Sequence, residues 1–531
     1  GGGAGGTGGA GGATGAAKDG DAGAGGSAGF GAGVGSDGDG ANGGGGSGFG
    51  GAIFVRSGGT LVIAGNALFQ NNASLAGSSN NGGSAGKAIG SDLFMMKGSN
   101  VTLTPGAGNT IRFEGTIADD SSASYAGAAY ASGAGAGLQI TGGGLVQLLG
   151  QNTYSGTTYV GGATLQAVDG IGLNVNSHLT FNGAGTIGNL SAENAGVWLA
   201  GGTVVRRVGG LSHQLSWDGS GGFAAADDKG LVLNFGSLNG APGQTLTWGQ
   251  NGFVKDGSTL IFGSEYAQGA VTLVNAVNLN GGTGRVAVYD NQAVKGDHAL
   301  LAGAFSNGGL IVGDTLYGGT AYFTAQNSLN SLTINNGLVS TRFGESTGRL
   351  MQAGGGSLHM NGGRLELHGA ERLSWTRLRE GAQLTAFADV QGNWLENFGN
   401  ADFRANASFT DVYTGRDAVT AFRGQLDARW LYNEGNVLLA NGMTGSYLQN
   451  GPAATLVSMG DITNDLYTYN TGLLAMGGNL TTPHLHQYGR LAILGDAIDG
   501  VETAATRTLA TNNLWSTRDA TISLGGLSGE V

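Results

Sequence analysis

The chain has 531 residues, of which 110 are glycine and only 4 proline, with 11% charged residues and a net charge of −12. Such acidity leaves no basic stripe to neutralise phosphates, so nucleic acid is excluded as an expected partner. There is no cysteine, which excludes disulfides, thiolate metal sites and cysteine nucleophiles.

Residues 1–50 contain 26 glycines and form a low-complexity segment. Such a stretch is either flexible or ordered through its own backbone, as in side-by-side extended glycine helices, at a heavy entropic cost. Phe30, Val34 and Phe49 are its apolar anchors. Lys18-Asp19-Gly20-Asp21 and Ser36-Asp37-Gly38-Asp39-Gly40 resemble calcium-binding Gly-Asp phrases. They lack the nine-residue regularity and the aliphatic position of those repeats. Ca²⁺ is kept as an alternative; no other cofactor or metal is expected. The chain opens without a methionine or a basic-plus-apolar leader. An export signal removed by processing, or a longer parent product, is the expectation.

From Gly51 the pattern changes. GAIFVRSGGTLVIAGNALFQNN (51–72) reads as strand, Gly-Gly turn, strand, Asn-rich turn. GSNVTLTPGAGNTIRFEGTIADD (98–120) repeats the phrase, as do GGTVVRRVGG (201–210), KGLVLNFGSLNG (229–240) and GAVTLVNAVNLNGG (269–282). Apolar residues mostly alternate as in half-buried strands, and turn signals return about every eight to twelve residues, as in a sandwich, a barrel or a solenoid. The pattern persists over hundreds of residues, which favours stacked repeats over several closed domains. No stretch approaches the length of apolar sequence a spanning helix needs.

GGGLVQLLGQNTYSGTTYVGGATLQA (142–167) packs three short strands into one phrase. Val146, Leu148, Thr158, Val160 and Leu165 are predicted to face inward. Leu145, Leu149 and Tyr159 then point out, as a possible lateral contact between copies. Asn152 sits at a turn, where its side chain bonds neighbouring backbone. Gly150, Gly156, Gly161 and Gly162 are expected to supply positive φ at corners. One such coil cannot bury its own inner face; stacked at about 4.8 Å per layer, successive coils can.

This phrase resembles the passenger-associated repeat of bacterial autotransporters, through Asn152-Thr153-Tyr154 and Gly156. The likeness extends over roughly residues 1–345 and includes NTIRFEGTIADDSS (109–122). It implies a secreted parallel β-helix and brings no catalytic residues. Residues 346–531 are richer in Arg and aromatics. GDITNDLYTYNTGLLAMGGNLTTPHLHQYGRLAILGDAIDG (460–500) is similar to the coils of filamentous-haemagglutinin-type exoproteins. No alternating, aromatic-ended barrel strands close the chain. The family resemblance then implies a cleaved outer-membrane barrel, a separate export partner, or a piece of a longer protein.

Candidate chemistry is sparse. A glycosidase needs two facing carboxylates. Asp119–Asp120 and Asp227–Asp228 are adjacent pairs in turn-like contexts, the second followed by Lys229, and are read as solvated turn carboxylates. His484 and His486 share one strand face with Leu485 on the other. Two such histidines can share a metal, but no third ligand is evident, so they read as a plain outward face.

The expectation is an all-β protein, a right-handed, three-sided parallel β-helix of about 20 coils and about 100 Å. Residues 1–50 form its Gly-rich segment, 51–345 the helix with the passenger-associated repeat, and 346–531 further coils. It is expected to be a non-enzymatic structural protein, secreted to the cell surface or matrix of a Gram-negative bacterium. Its expected partner is itself, in head-to-tail or lateral filaments. An adhesin binding host or biofilm glycans is the alternative, and a carbohydrate-active enzyme the third.

Overall fold

The computed structural model describes residues 45–78, 84–236, 243–493, 508–517 and 519–524. Phe30, Val34 and both Gly-Asp phrases lie outside the described residues. Phe49 lies within them, 3% exposed, with its ring 4.6 Å from that of Phe94.

The described residues contain no helix; their regular structure is strands, paired overwhelmingly in parallel. The chain is a parallel β-helix, as the recurrent strand–turn phrases predict. It divides into two compact units. The first takes the chain up to Gln244, with Gly249–Val271 and Asn291–Asp297; the second takes Thr245–Trp248, Thr272–Asp290 and the chain from His298.

In the first unit, strands from successive coils lie in register. Asn100–Thr104, Leu138–Ile140, Thr158–Val160, Leu179–Phe181 and Gln214–Trp217 form one ladder. Its inward positions stack Leu103, Ile140, Val160, Phe181 and Trp217 in one column, and all are buried. Each such side chain contributes about 1.5–3 kcal/mol by leaving water. A second ladder joins Thr110–Phe113, Leu145–Leu148, Thr164–Ala167, Gly196–Ala200 and Gly221–Ala225. Val146, Leu148, Thr158, Val160 and Leu165 all face inward as predicted.

The NTYSG phrase is a clasp between coils. Asn152 is 1% exposed; its Oδ1 accepts from Ile117 N (2.7 Å) one coil earlier, and its Nδ2 donates to Gly172 O (2.8 Å) one coil later. The buried Tyr154 hydroxyl meets Thr158 Oγ1 at 2.9 Å. The glycines act differently from expectation. Gly150, Gly156, Gly161 and Gly162 are not among the positive-φ residues, whereas Gly142, Gly143 and Gly144 are, at 88°, 73° and 69°. A Cβ on Gly150 would stand 1.9 Å from Gly115 O, and one on Gly156 would stand 2.3 Å from Ala136 O. Close approach of the preceding coil, not left-handed backbone, selects glycine there.

In the second unit each coil from Glu371 onward contributes a long strand and a four-residue strand. The long strands Glu371–Leu378, Val390–Asn397, Ala407–Thr414, Leu426–Asn433, Met443–Asn450, Ile462–Asn470 and Leu480–Gln487 pair in order. The register steps by 17 to 20 residues per coil. Leu426–Asn433 shows why these strands bend. Its residues run buried, exposed, buried, exposed, then half-buried Trp430, then buried again. Two consecutive residues, Arg429 and Trp430, face out, so the period of two slips by one. The outward residues before and after the slip line two different faces.

The inner corner of these coils carries a polar column. Asn433, Asn450, Asn470 and Gln487 are each at most 1% exposed. Each amide donates to the next: Asn433 Nδ2 to Asn450 Oδ1 (2.8 Å), Asn450 Nδ2 to Asn470 Oδ1 (2.8 Å), Asn470 Nδ2 to Gln487 Oε1 (3.0 Å). The second amide hydrogens cap carbonyls of the following turn, Thr455 O, Leu473 O and Arg490 O. The three buried asparagines are tolerated because donor and acceptor are both satisfied; Gln487, the last of the column, accepts from Asn470 but its Nε2 is buried without a partner among the described residues.

Glu371, 3% exposed, opens the ladder of long strands. Its oxygens accept from Leu350 N (2.5 Å) and Met351 N (3.2 Å) of the preceding coil. Burial pushes its carboxyl up from 4.5 to about 7, against the pull of those two amides and of Arg349. The folded form therefore holds the proton more tightly than the unfolded chain. Its contribution to stability is full below about 4.5 and is lost as pH rises through 7, by on the order of 3 kcal/mol. Calorimetry of the second unit between pH 5 and 8 should show a falling transition in the parent and a flatter one in Glu371→Gln. Equal slopes would disprove this assignment.

Candidate functional site

The bend in the long strands sorts outward residues into rows that run from coil to coil. Before the bend, strand register aligns Arg372, Gln391, Ser408, Asp427, Thr444 and Thr463. Just before the slip lie Ser374, Asn393, Thr410, Arg429, Ser446 and Asp465. After it, register aligns Trp375, Trp394, Asp411, Trp430, Tyr447 and Tyr467, followed by His484. A polar strip thus runs beside an aromatic ridge, with one residue of each row per coil.

The polar strip is a groove. It holds an open depression of about 610 Å³ over Ser408, Thr410, Asp427, Arg429, Thr444 and Asp465. A second, of about 330 Å³, adjoins it over Gly355, Arg372, Ser374, Gln391 and Asn393. Gly392 and Ser408 belong to both. Gly392 must be glycine: a Cβ there would stand 2.5 Å from the Phe409 ring. Asp427 accepts a long bond from Thr444 Oγ1 (3.4 Å), and Arg429 reaches Asp411 at 3.5 Å. These polar groups are therefore largely uncommitted within the protein.

The aromatic ridge has two parts. Trp430 and Tyr447 stack with ring centroids 3.6 Å apart and 14° between planes, and Tyr447, Tyr467 and His484 continue the stack. Their faces are turned to one another and join coil to coil, as cross-strand aromatic pairs do. Trp375 and Trp394 are different. They are 46% and 41% exposed. Trp394 makes no ring contact among the described residues, and its later register neighbour is Asp411, not an aromatic.

The residues singled out from sequence fall in several places. His484 and His486 do flank buried Leu485 on an outward face. They join the aromatic stack: His486 lies 4.4 Å from the Trp515 ring at 12°. Among the described residues no group of three or more His, Asp or Glu is placed to hold a metal. Asp227, Asp228 and Lys229 are exposed in a turn, with Lys229 N donating to Asp227 Oδ1 at 3.0 Å. Leu149 and Tyr159 point out, 39% and 38% exposed. Leu145 does not. It is 8% exposed, between Thr110 and Thr164 of the neighbouring coils, and Thr164 is itself only 5% exposed. The outer side of that coil is covered at Leu145, so it leaves the lateral surface.

Asp119 and Asp120 also overturn their expectation. They are 0% and 2% exposed, not solvated. Asp119 ends the strand Ile117–Asp119 and faces serines of its own turn and of a later coil. Its Oδ1 accepts from Ser121 N (3.0 Å), Ser121 Oγ and Ser124 Oγ (3.1 Å); its Oδ2 accepts from Ser155 N (2.6 Å) and Ser155 Oγ (3.2 Å). Asp120 accepts from Lys97 N (2.9 Å), and burial raises its pKa. Burial, with the charges of these two carboxylates behind it, pushes Tyr125 up to about 12. The Asp119 cluster is saturated with donors and closed to solvent, which makes it a coil clasp.

Sequence reasoning missed the groove altogether. Its signal is present in the spacing: Trp375, Trp394, Trp430 and Tyr447 fall one or two coils apart, each preceded by a polar residue. Only the coil length converts that spacing into a row.

The fold and this face define the class, a parallel β-solenoid with an amphipathic outer groove. No family model matches the chain, and no curated protein or solved structure matches it.

Proposed function

We propose that the chain is a secreted structural protein of the bacterial cell surface or extracellular matrix, of the autotransporter-passenger kind, assembling into filaments. One observation carries this reading. Parallel strand pairing runs from coil to coil from Glu371 to Gln487, with bulges in only two of the pairings, and Asn433, Asn450 and Asn470 each donate to the next interior amide. Such a stack is a rigid repeating scaffold whose stability is a sum of neighbour contacts. Exposed Leu149 and Tyr159 support a lateral contact. Negative-stain microscopy of the protein taken from cells should show fibres. Isolated particles at all concentrations would sink the filament reading.

A second reading, an adhesin that binds host or biofilm glycans, is favoured by a separate observation, the polar groove beside exposed Trp394. On it the scaffold serves to hold that face away from the cell. Saturable binding on a glycan array tests it.

A further inference from the structure

The geometry points to the groove across Gly355–Asp465 as the binding site for a linear, uncharged polysaccharide laid along the stacking direction of the coils, with Trp394 as the stacking platform. This rests on the adhesin reading and specifies its site and ligand class.

Four observations select that ligand. The groove runs from coil to coil, because the row Arg372, Gln391, Ser408, Asp427, Thr444 and Thr463 is a strand-register column. A polymer of repeating units suits a site that repeats every coil, about 4.8 Å apart, a step comparable to one pyranose ring of an extended chain. Second, the lining is hydroxyl, amide and carboxylate, supplied by residues such as Ser408, Thr410, Asn393, Thr444 and Asp427. Sugar hydroxyls donate and accept, and this mixture answers both. Third, Asp427 and Asp465 are balanced by Arg372 and Arg429. A lining with no net charge is complementary to a neutral chain; a polyanion would also meet a protein of net charge −12. Fourth, Trp394 stands 41% exposed and in the chain directly follows Asn393, which lines the groove. Its uncovered ring can take the C–H face of a sugar while the polar row holds the hydroxyls. A peptide has less to hold it, because the groove offers outward strand faces rather than a strand edge, and no apolar pocket for an anchor.

Calorimetric titration of the full chain tests this with cello-, xylo- and chito-oligosaccharides, and with oligogalacturonate as the charged comparator. Neutral oligomers should bind, with affinity rising with chain length until the oligomer spans the groove. Trp394→Ala, at a half-exposed site, should leave thermal unfolding nearly unchanged and weaken binding about tenfold. Ser408→Tyr, where the two depressions meet, should block the groove and weaken binding at least as much. Neutral binding that neither variant alters would overturn the groove assignment and leave the adhesin reading standing. Binding of oligogalacturonate alone would overturn the ligand class. Absence of binding to all four would overturn the adhesin reading itself.

Discussion

Asp119→Ala should destabilise the first unit by about 4 kcal/mol, because it strands a set of buried donors together. Five groups donate to that carboxylate, from Ser121, Ser124 and Ser155. Ser121 and Ser155 are fully buried, so water cannot replace the lost acceptor. Asp119→Asn should not rescue, since its amide would turn N–H groups toward N–H groups. In a stack each coil contacts only its neighbours, so the damage should be local. Hydrogen exchange should accelerate at Ile117–Asp119 and around Ser155, and remain slow in Leu426–Asn433. Unchanged protection at Ser155 would show that the serines find other partners and that the clasp is dispensable.

Asn450→Ala should cost the second unit about 3 kcal/mol. Three bonds go at once: the donation from Asn433 Nδ2 and the donations to Asn470 Oδ1 and Leu473 O. The groups left behind are buried at an inner corner, where Asn433 and Asn470 are at most 1% exposed. Asn450→Asp provides a sharper control. Its carboxylate can still accept from Asn433 but has no proton for Asn470 or Leu473. At neutral pH it should be worse than alanine, since it buries a charge without a counterion. Burial raises its folded pKa above the unfolded value, so stability should recover as pH falls and the carboxyl regains a proton. Chemical denaturation of variant and parent side by side at pH 4 and pH 7 reads this difference, the parent carrying the Glu371 contribution common to both. An aspartate variant whose deficit relative to the parent is no larger at pH 7 than at pH 4 would contradict the amide column as drawn.

Much of the scaffold was legible. In GGLVQLLG the alternation places Val146 and Leu148 inside, and they are inside. Persistence of such phrases implied stacked coils, and parallel ladders join them. Asn152 was read as a turn residue bonding neighbouring backbone, and it does so to Ile117 and Gly172. The failures share a cause. Leu145 reads as an exposed residue by alternation, yet it is only 8% exposed. Asp119 looks like a turn carboxylate until Ser155, 36 residues later, closes over it. Gly150 and Gly156 look like corner residues until the preceding coil's carbonyls are set against them.

By itself the sequence determined what depends on near neighbours: strand or turn, inward or outward, acidic or basic, all-β and repetitive. Tertiary structure alone decided what depends on coil length and register. It brought Gln391, Ser408 and Asp427 into one row, left Trp394 uncovered beside Asp411, and sealed Asp119 among serines. The physical reason is that a side chain's alternation along a strand is local. Its solvation and its partners are set by the coils above and below, about 4.8 Å away in space but about a full turn of chain away in sequence.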